Sequence, residues 1–77
     1  MKKAKISLNT VEKVREFINV ASELDCDLDL VSGRRVIDGK SMMGIFSLDL
    51  TKPIEMNINT QEDIDYILKV FENFIIL

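Results

Sequence analysis

The sequence predicts an α+β fold: a four-stranded antiparallel sheet with three helices on one face, in the order βαββαβα. Three patterns carry that expectation. Apolar and polar residues alternate in four short segments, and apolar residues recur at helical spacing in two longer ones. The run Met42-Met43-Gly44-Ile45-Phe46 is too apolar to alternate as a strand and follows a serine suited to capping a helix. Four short strands cannot bury both faces of a sheet, so helices must cover one and water the other.

The elements follow in order. Ala4, Ile6 and Leu8 alternate with Lys5 and Ser7, a half-buried strand. Asn9 and Thr10 can cap a helix, with Glu12 near the position of a capping box. Val11, Val14, Phe17, Ile18, Ala21 and Leu24 make one apolar stripe on a helix over about residues 10 to 24. Cys26, Leu28 and Leu30 alternate with Asp27, Asp29 and Val31 in a second strand. Ser32-Gly33 turns the chain into a third, from Arg34 to Ile37, which ends at Asp38-Gly39. Ser41 then caps a short helix, with Met43, Ile45 and Leu48 expected to face inward. After Lys52-Pro53, Ile54, Met56 and Ile58 alternate with Glu55, Asn57 and Asn59 in the fourth strand. Thr60 is expected to cap the last helix, with Glu62 and Asp63 at its positive end. Ile64, Ile67, Leu68, Phe71 and Ile75 would form its buried stripe.

The 77 residues read as one domain, 1–77, with no repeats and no linker. With 47% hydrophobic and 30% charged residues the chain is globular, not disordered. No apolar run reaches the roughly 20 residues of a membrane span, and the apolar stretch after the basic start is too short for a signal-peptide core. A cytoplasmic protein is expected. The net charge of −3 speaks against a nucleic-acid partner. One cysteine, Cys26, excludes an internal disulfide; alternation with Leu28 makes it a small buried hydrophobe. The chain has no histidine, which removes Ser-His and Cys-His catalysis, imidazole zinc sites and phosphohistidine chemistry. Asp25, Asp27 and Asp29 spread along a line, whereas a hard cation needs converging ligands, so they read as solvated carboxylates. Arg34 and Arg35 read as a solvated edge. No cofactor or metal is expected.

This order of elements resembles that of the histidine-containing phosphocarrier (HPr) family of the bacterial phosphotransferase system. Lys40-Ser41-Met42-Met43-Gly44-Ile45-Phe46-Ser47-Leu48 is similar to that family's K-S-I-M-G-(V/L)-M-S-L segment. Ala21-Ser22-Glu23-Leu24 and Asp27-Leu28-Asp29-Leu30 fall where the family has A-S-x-F and a D-(I/V)-x-L strand, and Ile54 to Ile58 where it has E-(V/I)-T-(I/L). The resemblance covers nearly the whole chain. It departs at the first helix, which in the family opens with G-(I/L)-H-A-R-P. Here Thr10 stands at the histidine, Glu12 at the phosphate-binding arginine and Lys13 at the proline.

The resemblance implies the fold and, through these departures, argues against phosphocarrier activity. A threonine hydroxyl without a base beside it is a poor nucleophile, and Glu12 would repel a phosphoryl group that a cation would stabilise. It further implies a phosphorylatable serine at Ser41, which composition alone makes a helix cap, and a partner-binding patch of Met42 and Phe46 beside Lys40. Met42 and Phe46, four residues apart, share a helix face. The leading expectation is a non-enzymatic regulatory or interaction protein whose partners are a serine kinase, a transcriptional regulator or a protein of the phosphotransferase system. The alternatives are a structural or assembly module in which Ser41 is only a cap, and a sugar-transport phosphocarrier with a non-histidine acceptor.

Overall fold

Each alternating segment becomes a strand and each helical stripe a helix, with boundaries set by packing. The computed structural model describes residues 2–60 and 63–76. Its elements are β1 (Lys2–Ile6), α1 (Val11–Ser22), β2 (Asp27–Ser32), β3 (Arg35–Asp38), α2 (Met42–Phe46), β4 (Ile54–Asn59) and α3 (Ile64–Val70). The strands form one antiparallel sheet in the order β1-β4-β2-β3, with β4 between β1 and β2. The three helices lie on one face, as the patterning requires.

The alternation settles which way each strand faces. Ile6, Leu28, Leu30, Ile54, Met56 and Ile58 point toward the helices and are buried. They meet Val14, Phe17 and Ala21 of α1, Ile45 of α2 and Ile67 of α3 in one cluster. Cys26 is buried in the same cluster. The other faces of β1, β4 and β2 carry Lys3, Lys5, Glu55, Asn57, Asp27 and Asp29. Asp25, Asp27 and Asp29 are exposed, as expected.

Gly39 closes the path from β3 to α2. Its amide donates to the Leu28 carbonyl at 2.7 Å, and a Cβ there would lie 2.9 Å from the Leu28 Cβ. Gly39→Ala must therefore shift backbone or strand. We expect it to destabilise the domain by about 1–3 kcal/mol, read as a lower melting temperature.

Four expectations are corrected. Val11 is 55% exposed, not part of the buried stripe. As the first residue of α1 its side chain points back past the helix end, beyond the reach of the sheet. Met43 is 87% exposed, while Ile45 and Leu48 are buried. Residues two apart on a helix point about 200° apart, so Met43 and Ile45 cannot both face inward. The last helix is capped by Asp63, whose carboxylate accepts from the Asp65 amide at 2.9 Å; Thr60 lies too early to cap it. The place expected for Glu62 lies outside the described residues. Finally, α3 stops at Val70 and Ile75 is not on it. Ile75 instead bridges Ile6 on the outer side of β1. The Ser7 amide donates to Phe74 O and the Ile76 amide to Lys5 O, both at 2.9 Å. This tail supplies hydrogen-bond partners that a bare sheet edge would lack.

Candidate docking surface on the second helix

Ser41, expected as a cap, is one. Its backbone is extended, and its Oγ accepts from the Gly44 amide at 3.1 Å. Gly44 also sits close to the sheet: a Cβ there would lie 3.2 Å from Ile37 Cδ1 of β3, tighter than ordinary contact. The five-residue helix α2 thus lies against β3 and α1.

Two cations fasten its ends. Lys40 Nζ donates to the Leu24 carbonyl just beyond α1, at 2.7 Å, and Arg35 Nη1 donates to the Ser47 carbonyl at 3.1 Å. Lys40, expected at a partner surface, therefore has its ammonium turned toward α1. Arg35 was legible only as an exposed edge residue. Its contact spans 12 positions of sequence, and no local pattern signals it. Past α2, Asp49 accepts from the Thr51 hydroxyl at 2.6 Å and the Thr51 amide at 3.1 Å. These bonds, with Lys52 nearby, hold its carboxyl below the usual carboxylate value.

With α2 anchored, its outward side chains are presented to water. Met42 and Phe46 are each 44% exposed, beside Met43. Three large apolar side chains on one exposed turn and a half of helix form the kind of patch that partners cover. Truncation separates presentation from packing. Phe46→Ala is expected to change stability by only about 1 kcal/mol, since half of the ring is already in water. A calorimetric melt of the protein alone checks this.

Thr10 is exposed and caps α1, its Oγ1 accepting from the Lys13 amide at 3.1 Å. Glu12 follows in the first turn, where its negative charge occupies the positive end of the helix. Thr10 begins a different element from the one that carries Ser41, Met42 and Phe46. Among the described residues no cluster of three or more His, Cys, Asp or Glu could hold a metal ion, and no helix is long and apolar enough to cross a membrane.

A four-stranded antiparallel sheet in this order, covered on one face by three helices with a short capped helix between β3 and β4, is an open-faced α+β sandwich. Its fold is that of the histidine-containing phosphocarrier protein, HPr. HPr-C-His from Thermoanaerobacter tengcongensis superposes with a TM-score of 0.80 at 17% identity, over 96% of this chain and 91% of that one. The phosphocarrier protein HPr from Bacillus anthracis gives 0.72 at 18% identity, over 95% and 93%. A histidine-containing phosphocarrier protein of Mycoplasma gives 0.72 at 13% identity, over 94% and 86%. No family model and no curated protein matches the sequence. The expected resemblance is thus borne out in the fold.

Proposed function

We propose that this chain is a regulatory protein-interaction domain on the HPr scaffold, neither a catalyst nor a phosphocarrier, having lost the acceptor histidine. The observation that carries this reading is the exposed apolar turn of α2, Met42 with Met43 and Phe46, immediately after Ser41. The buried core cluster is built from other residues, which leaves these side chains partly in water. Met42 and Phe46 form the partner-binding surface, with Lys40 holding the helix that presents them through its bond to the Leu24 carbonyl, and phosphorylation of Ser41 is its switch. The partners are a serine kinase that modifies Ser41 and a transcriptional regulator or phosphotransferase-system protein that reads the result, in the cytoplasm.

The chemistry supports a change of partner more than a change of fold. A phosphate adds about −1.5 to −2 charges and keeps acceptor oxygens for the Gly44 amide. An apolar partner without cations would be repelled from Met42 and Phe46, whereas one offering arginines would be recruited. The engaged Ser41 hydroxyl favours a second reading, in which Ser41 is only a cap and the domain an assembly module.

The test is incubation with an HPr serine kinase and ATP, mass-spectrometric location of the phosphate, and capture of partners by the unmodified, phosphorylated and Phe46→Asp proteins. Phosphate at Ser41, a changed partner set and a melting temperature within a few degrees are expected. Identical partner sets would leave Ser41 as a cap.

A further inference from the structure

The open face of the sheet separates charge: Lys5 stands opposite Glu55 and Asp38 Oδ1 accepts from the Lys40 amide at 2.9 Å, but among the described residues Lys3, Asp27 and Asp29 have no oppositely charged neighbour across a strand. Strand registers arrange its outward side chains in rows. One row runs Lys3, Asn57, Asp29, Asp38 and the next Lys5, Glu55, Val31, Val36 from β1 through β4 and β2 to β3. Asp27 lies beside Asn59 in a third. Cations therefore line β1, and Asp27, Asp29 and Asp38 occupy the opposite half. Neighbouring strands are about 4.8 Å apart, which puts Lys3 about 10 Å from Asp29 within the sheet, too far to pair. Among the described residues the one ion pair is Lys52 with Asp49, elsewhere. Asp29 stands directly opposite Asp38, an unfavourable pairing of like charges. Asn57 Oδ1, in the same row, is buried without a hydrogen-bond donor.

We propose that this face binds the same face of a second copy of the chain, about a twofold axis parallel to the strands. That rotation reverses strand order but keeps each row in place, so β1 of one copy lies over β3 of the other and β4 over β2. Lys3 then meets Asp38 and Asn57 meets Asp29. The Lys5 stem crosses Val36, which is 64% exposed, and Glu55 lies over Val31. No like charges oppose one another. A twofold perpendicular to the strands in the same plane would set lysine over lysine and aspartate over aspartate, so charge selects the first axis. Edge pairing is a poorer route, because the tail at Ile75 already bridges β1 and β3 offers only four residues.

The interface is small. Four strands about 4.8 Å apart and about 20 Å long present about 400 Å² per copy, against about 800 Å² per partner in a stable complex. The dimer is therefore weak and salt-sensitive, forming at high protein concentration.

Sedimentation analysis up to about 1 mM protein, in about 20 mM and about 1 M salt, tests this. Wild type is expected to self-associate at low salt and dissociate at high salt. The exposed double variants Lys3→Glu/Lys5→Glu and Asp29→Lys/Asp38→Lys should each be monomeric. An equimolar mixture of the two should associate again as a heterodimer, with melting curves confirming that both are folded. A monomeric wild type at low salt, association untouched by both variants, or a mixture that stays monomeric overturns the proposal. So does a wild type that binds oligolysine while remaining monomeric, which would make the occupant a basic partner.

Discussion

Phe17→Ala is expected to remove about 3–5 kcal/mol of stability. Phe17 is fully buried at the centre of α1. Its ring lies 5.1 Å from that of Phe71, tilted by 34°, and 5.6 Å from that of Phe74, nearly edge-on at 86°. These offset and edge-to-face arrangements add to area burial. The loss compares with a total of about 4–12 kcal/mol for a domain of this length at 0.05–0.15 kcal/mol per residue. The midpoint of melting should fall by well over 10 °C, at about 4–8 °C per kcal/mol. The damage should also spread to the tail. Phe71 and Phe74 carry the chain from α3 to its bridge with Ile6, so amide exchange at Ser7 and Ile76 should accelerate. A loss for Phe17→Ala no larger than for Phe46→Ala would contradict the division between core and presented side chains.

The second large effect is an absence. Incubated with phosphoenolpyruvate and the general enzyme of the phosphotransferase system, the chain is expected to take up no acid-labile, base-stable phosphate. It contains no imidazole, and the Thr10 hydroxyl is engaged as the cap of the Lys13 amide. Glu12 adds negative charge where a transferred phosphoryl group would need a cation. Thr10→His alone should therefore remain inactive. Only Thr10→His combined with Glu12→Arg is expected to show measurable phosphorylation, at a loss of about 1 kcal/mol for the altered cap. Stoichiometric phosphate on the unmodified chain would overturn the reading of Thr10.

Element identity was local information. The alternation of Ile54, Met56 and Ile58 with Glu55, Asn57 and Asn59 admits only a strand with one wet face, and that is β4. Ser41 before an apolar run specifies a capped helix from the side chain's own reach, and its Oγ does meet the Gly44 amide. The errors share a cause. An apolar run by itself points Met43 inward, yet helix geometry allows only one side of a five-residue turn to face the sheet. Ile75 fits the period of the last stripe, but a bridge to Ile6 was available and periodicity cannot weigh the two.

The candidate site divides the same way. Ser41 as a cap, and Met42 with Phe46 on a common face, followed from spacing. The absence of histidine was plain in composition, and it is the strongest constraint on function. The anchors of α2 were not legible, since the contacts of Lys40 with Leu24 and of Arg35 with Ser47 join residues 16 and 12 positions apart. Residue type and local period specify the elements, the alternation of their faces and the lack of an imidazole. How α2 is held, which apolar side chains stay in water, and how lysines and aspartates sort across the open sheet follow from packing instead. Those outcomes depend on which distant groups meet once strand order and register are set.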